Sequence, residues 1–144
     1  MASHNSDRTG LMGIYDANDT TIMVDGHEMF GFQDGDMFTA TYDQDRWATA
    51  QDAQGTGTAS KNNKTGGTIT INLIETSPCN AIMEQVTETG NFPVDIVSST
   101  YHLSAVHCYV QKKPELQGGA TASNRGWQIK AINMDETPLL DNNN

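Results

Sequence analysis

The run Gly67-Thr68-Ile69-Thr70-Ile71-Asn72-Leu73-Ile74-Glu75 constrains this chain more than any other segment. Ile69, Ile71 and Leu73 share one parity, and Thr68, Thr70 and Asn72 share the other. A period of two with β-branched residues on both faces specifies a strand with one packed side and one wet side. A helix start follows at once. Ser77 suits the N-cap and Pro78 the first helical position, where a missing N–H costs nothing. Asn80 to Thr87 continue the helix, Gly90 suits the position after it, and Ala81, Ile82, Gln85 and Val86 form the stripe expected to pack on a sheet. No second helix is this clear. The chain holds 17 Thr and 13 Gly, both poor in helix interiors, so the expected fold is mainly β.

The remaining elements are shorter. Ile22 and Val24 precede the turn pair Asp25-Gly26, and Met29 to Phe32 make a second short run. Met37 to Asp43 read as a strand with Phe38, Ala40 and Tyr42 on one side and Thr39, Thr41 and Asp43 on the other. Arg46-Trp47-Ala48 opens another run. Residues 51–67 show no apolar period and are expected to form a long loop. Beyond the helix, Val94 and Ile96 face one way; in the next run Tyr101 and Leu103 keep one parity, while Val106, Cys108 and Val110 take the other. That break predicts a bulge or sheet switch near Ala105. Lys112-Lys113-Pro114 ends that strand, and Trp127, Ile129 and Ala131 mark the last one. At 144 residues this is one domain. It is expected over residues 11–135, between a flexible arm at 1–10 and a polar tail at 136–144.

Charge excludes one class. The formal net charge is −10, whereas phosphate binding needs clustered Lys and Arg. Residues 1–60 hold ten acids against two bases, and the rest holds eight against six. Two readings follow: acids placed in turns, or an acidic sheet face that repels whatever passes it. No apolar run reaches 18 residues, and Met1 to Gly10 lack the apolar core of a secretory signal, so no membrane partner is expected. The sequons at Asn18 and Asn63 are therefore not read as glycosylated.

The chemistry search finds no catalytic, cofactor or metal set. Gly55-Thr56-Gly57 lacks the third glycine of a nucleotide loop. Asp16 to Asp19 resemble the start of a calcium loop but have Thr21 and His27 where Gly and an acid belong. Asp34 and Asp36 read as a turn. On a regular strand His102 and Cys108 would share a face without His107, a poor ligand set. Trp47 and Trp127 read as core or interface anchors. Cys79 and Cys108 leave open one bridge, a link between subunits, or two free thiols, and a reducing cytoplasm favours the last.

Gly31-Phe32-Gln33-Asp34-Gly35-Asp36, then a strand, then Gly67 through Ser77-Pro78-Cys79-Asn80 resembles the tail tube proteins of contractile-tailed bacteriophages. In that family a G-x-I-T-I-x-L strand runs into a helix through S-P-x-N, and Arg125-Gly126-Trp127-Gln128-Ile129 fits its late aromatic strand. The resemblance covers roughly residues 20–133, with Cys79 and Cys108 as departures from it. It implies an antiparallel β-sandwich or rolled barrel with one flanking α-helix. It implies six copies in a ring, strands joined into a continuous inner barrel, and rings stacked into a tube. Partners would be further copies, a sheath protein, and baseplate and tail terminator proteins. Double-stranded DNA would pass through without specific binding. The place would be the virion tail, assembled in the host bacterial cytoplasm. Under this resemblance Thr39, Thr41 and Asp43 are candidates to face the lumen, and Thr68, Thr70 and Asn72 are a second set. The 51–67 loop and the two tails are candidates for ring-to-ring contact. Two alternatives stand beside it: a monomeric β-sandwich module for carbohydrate or another ligand, and a type VI-like secreted tube protein. No nucleophile–base pair supports an enzyme.

Overall fold

The computed structural model describes residues 15–139. The expected arm at residues 1–10 and the tip of the tail, Asp141 to Asn144, lie outside them. After a single 3₁₀ turn at Ala17–Asp19 the elements are β1 (Thr21–Val24), β2 (His27–Glu28), β3 (Phe38–Tyr42), β4 (Trp47–Gln51), β5 (Gly57–Lys61), β6 (Gly67–Ile74), α1 (Cys79–Thr89), β7 (Phe92–Val97), β8 (Tyr101–Lys112), β9 (Asn124–Ala131) and β10 (Asp135–Pro138). The fold is mainly antiparallel β with one α-helix.

One sheet runs in the order β2-β1-β7-β8-β9-β6-β3, and β10 also pairs with β8. β8 is long enough to serve two neighbourhoods. Its first half lies between β7 and β10, and its second half pairs with β9. The change falls at a bulge. Phe92 faces Cys108 but Val94 faces Ala105, so Val106 and His107 together oppose Pro93. The predicted switch near Ala105 is therefore present. Its parity assignment needs one correction: Leu103, Ala105 and Cys108 point inward, and Val106 is 63% exposed. The sheet rolls around this point, so that Phe38, Ala40 and Tyr42 of β3 share a small cleft of about 130 Å³ with Tyr101 and Leu103 of β8. Ile22, Val24, Ile69, Ile71, Leu73, Val94, Ile96, Trp127 and Ile129 fill the single core inside the roll.

β6 behaves as its alternation requires, buried at Gly67, Ile69, Ile71 and Leu73 and half-buried between. Three expectations change. The helix starts at Cys79, with Pro78 in the cap position. Ser77 performs the capping from one residue earlier: its Oγ accepts the Cys79 N–H (3.3 Å) and donates to the Phe30 carbonyl (2.6 Å). The buried helix face is Cys79, Asn80, Met83 and Val86, so Ala81 and Gln85 face solvent instead. An Asn inside the buried face hid the stripe from a reading by hydrophobicity. Second, residues 51–67 are not a loop throughout. β5 pairs with β4 from Trp47↔Lys61 to Gln51↔Gly57 in a separate two-stranded hairpin. All ten strand residues are exposed, so no apolar period marks them. Third, β9 is not the last strand, because β10 occupies the start of the expected tail and pairs Asp135 with Ser104 through Pro138 with Tyr101. Its alternation is invisible because its residues are all exposed.

The helix is pinned to the sheet by one buried junction. Asn80 Nδ2 donates to the carbonyls of Ile74, Glu75 and Ser77 (3.0, 3.1 and 3.2 Å), and its Oδ1 accepts the indole N–H of Trp127 (3.0 Å). Gly31, at φ +78°, passes so close that a Cβ there would sit 2.5 Å from Ser77 Oγ. Asn80→Ala would strand the Trp127 donor and the Glu75 carbonyl, while Ile74 and Ser77 keep their backbone partners. The expected outcome is a loss of about 2–4 kcal/mol in urea unfolding, and a midpoint matching the wild type would refute the junction's importance.

Candidate functional site

β3, β6 and β9 lie side by side, which brings the two predicted residue sets onto one surface. Thr39 faces Thr70 and Thr41 faces Thr68 across β3 and β6. Thr70 in turn faces Gln128, Thr68 faces Lys130 and Asn72 faces Gly126 across β6 and β9. Their neighbours of opposite parity, Ile69, Ile71, Trp127 and Ile129, are fully buried. The outward side of the sheet is thus a continuous lawn of hydroxyls and amides. Asp43, just past the end of β3, leans over it. Its carboxylate pairs with Lys130 and accepts the Thr68 hydroxyl (3.3 Å).

This face is not acidic. The acids of the N-terminal part sit largely in turns and do turn work. Asp16 accepts the Asn18 N–H at the 3₁₀ turn (2.9 Å). Asp52 accepts the N–H groups of Gln54 and Thr56 at the tip of the β4–β5 hairpin (2.9 and 3.0 Å). Asp25 takes φ +52° beside Gly26 at φ +80°, the left-handed pair that suits a tight hairpin turn. Of the two readings of the charge asymmetry, the placement in turns is the one these residues follow.

β3 is an open edge. Asp43 donates to Gly66 and Asn72 donates to Met37, so Met37, Thr39, Thr41 and Asp43 turn their backbone groups toward β6. Phe38, Ala40 and Tyr42 therefore direct theirs away from the sheet, where no described strand receives them. The strand carries neither Lys nor Pro, the usual guards of a lone edge. On the opposite side of the same layer, β7 stops pairing at Cys108, so no described strand flanks that side of Tyr109 to Lys112.

No protein-family profile matches the sequence, and no curated protein matches it. Solved structures do. The anti-feeding prophage cap, described as the tube terminating cap, superposes with a TM-score of 0.64 at 10% identity, covering 96% of this chain and 100% of that one. A chain of the sheath–tube complex of the extracellular contractile injection system PVC in its extended state gives 0.57 at 8% identity, covering 96% and 99%. The PVC sheath/tube terminator in its extended state gives 0.57 at 10%, covering 87% and 97%. The fold is that of contractile injection system components.

Within this contractile-system fold the chemistry-bearing residues are scattered. The bulge sends His102 and Cys108 to opposite faces, which corrects the shared face expected of a regular strand. His102 Nε2 lies 3.5 Å from Asp95, and His107 Nδ1 lies 3.1 Å from Asn91 Nδ2. Among the described residues no group of three His, Cys, Asp or Glu is arranged to hold a metal. Nor is any described helix long and apolar enough to cross a membrane. A cleft of about 590 Å³ at the root of the hairpin mixes Arg46 and Lys64 with Asp45, Asp135 and Glu136. Burial, then Glu136 and Asp135, raise the Tyr42 pKa at its rim. Trp127 is a core residue, whereas Trp47 stands 56% exposed on the hairpin. Gln128 and Lys130 were missed from the sequence. The inward parity of Trp127, Ile129 and Ala131 already turned them outward, but only the β6–β9 register shows that they join the threonines.

Cys79 and Cys108 are free and buried, so the structure contains no bridge between them. Cys79 Sγ accepts the Phe30 N–H (3.3 Å). Burial, reinforced by the charge of Asp95, pushes the Cys108 thiol up to about 11. An acid with a raised pKa stabilises the fold fully below its unfolded pKa near 8.5, and that contribution disappears as pH rises through about 11. Wild type should therefore lose on the order of 2 kcal/mol more than Cys108→Val between pH 8.5 and 11 in urea unfolding. Parallel pH profiles for the two proteins would overturn this.

Proposed function

We propose that this chain is a structural subunit of the inner tube of a contractile tail or injection apparatus, and that copies of it assemble as six-membered rings. The observation that carries the reading is the pair of open flanks on one four-stranded layer. β3 ends one side, and the second half of β8 ends the other. β8, β9, β6 and β3 alternate in direction, so β3 of one copy meets β8 of the next antiparallel, and the ring's sheet keeps one hydrogen-bonding pattern throughout. Such a head-to-tail contact closes when the rotation divides a full turn, and closure removes both open flanks of the layer. The near-complete overlap with cap, terminator and sheath–tube complex chains supports the same reading.

In this ring the hydroxyl and amide lawn of β3, β6 and β9 lines the lumen. Six layers give roughly 24 strands. At about 4.8 Å per strand the barrel is about 37 Å across at the backbone, and strand tilt widens it. A wall of Thr, Asn and Gln suits a conduit. It stays wet, and the lysine nearest its middle, Lys130, is paired with Asp43 rather than free for a passing polyanion. The cargo in this reading is double-stranded DNA on its way into a host cell. The exposed β4–β5 hairpin, with Trp47, reaches toward the neighbouring ring. Sheath, baseplate and terminator proteins are the partners, and the assembled particle is the location. No step of this role needs a catalytic residue or cofactor. A second reading is favoured by the cap structure: a terminal ring that closes the tube rather than extending it.

Negative-stain electron microscopy of the purified chain at rising concentration tests the proposal. Stacked six-fold rings are expected. Single unstacked rings would favour the cap, and monomers at every concentration would refute both. Ala40→Pro removes an outward N–H at an edge position, where Pro is tolerated. It should abolish rings while leaving the far-ultraviolet circular dichroism of the monomer unchanged.

A further inference from the structure

Lys130 is the cation nearest the middle of the polar face. It stands on β9, in register with Thr68 and Thr41, and its ammonium is engaged by Asp43 from across β6. Asp43 is held in turn by the Thr68 hydroxyl (3.3 Å), and its backbone N–H is bonded to Gly66 (3.0 Å). Both side chains are about two-thirds shielded. Lys64 borders the same cleft of about 450 Å³, together with Tyr109. The other cations on the strands of this layer are Arg125, paired with Glu75 at 3.7 Å, and Lys112 at the layer's margin.

We propose that Asp43 is a charge mask: it cancels Lys130 and so keeps this cleft from being a phosphate-binding site. The proposal rests on the reading of this face as a lumen. In a ring the cleft repeats six times around the wall. With Asp43 neutral, Lys130 and Lys64 both present free ammonium groups to the cleft, beside a tyrosine hydroxyl. Each phosphate they contacted would release condensed counterions, and several such sites on one circle would hold a duplex together. The mask is therefore what lets β9 carry a lysine near the middle of this face. The residue disfavours a ligand class, polyanionic backbones, by taking the Lys130 charge away from them and leaving Lys64 alone in the cleft.

The test uses assembled wild-type, Asp43→Asn, Asp43→Glu and Asp43→Asn/Lys130→Gln proteins, each checked for rings by electron microscopy. The probe is a fluorescent 30-base-pair duplex, read by anisotropy at about 50 and 200 mM salt. Asp43→Asn should bind about tenfold or more tightly than wild type at the lower salt, and the gain should vanish at the higher salt. The double variant and Asp43→Glu should return to the wild-type value. Rings of Asp43→Asn that bind no better than wild type would overturn the mask. So would a gain that persists in the double variant, because Lys130 would not be its source. Absence of wild-type rings is a different failure, and it removes the lumen reading on which the mask depends.

Discussion

The hydrogen bond from Trp127 to Asn80 joins the two parts of this molecule that the chain itself does not join closely. Trp127 lies on β9, at the centre of the sheet. Asn80 lies in the first turn of α1, which leaves the end of β6. Asn80 also bonds the carbonyls of Ile74, Glu75 and Ser77; Ile74 and Ser77 also accept backbone N–H groups, so Glu75 is the one that depends on this side chain. A buried donor or acceptor left alone costs more than the bond itself returns, so this junction has essentially one arrangement. It fixes the helix against the sheet. Ser77 then fixes the Gly31 segment against the helix start, and that segment leads directly into β3. The position of the open edge follows from a polar cluster on the far side of the core.

The main β fold was legible because it is written in β6, β7 and β9, whose inner residues are apolar and whose outer residues are not. The junction was legible only as a motif. Ser77-Pro78-Cys79-Asn80 announced a helix start, but Asn80 gave no sign that it was buried, since burial came from a tryptophan 47 positions away. The β4–β5 hairpin and β10 were not legible at all. Both are exposed throughout, and a strand without an inside leaves no period in its sequence. The candidate face was half legible. Alternation gave the outward direction of Thr39, Thr41, Thr68 and Thr70 correctly, yet it could not say that the two series meet. Register is a property of pairs, and one residue's slip would have turned every threonine inward.

The bulge at Val106 and His107 matters for the same reason. A regular twelve-residue β8 would keep Leu103, Ala105 and His107 inward. The extra residue instead returns Cys108 to the core and lets one strand belong to both regions of the roll. The first half packs with β7 and β10, and the second half continues into the layer with β9, β6 and β3. The change of neighbours along β8 is thus made at this bulge, and a second register shift between Val110 and Lys112 follows against β9.

In the proposed ring, placing the acids in turns also bears on how copies would meet. The face that carries the threonines stays almost free of net charge. With a formal charge of −10, free subunits repel one another over about a Debye length, roughly 10 Å at 0.1 M salt. The short-range attraction of open strand edges acts only inside that distance. Two opposing ranges of force create a kinetic barrier that dissolved ions lower. If copies assemble as proposed, a chain built this way would stay apart in dilute medium and join when its surroundings screen it, with no chemical signal and no moving part.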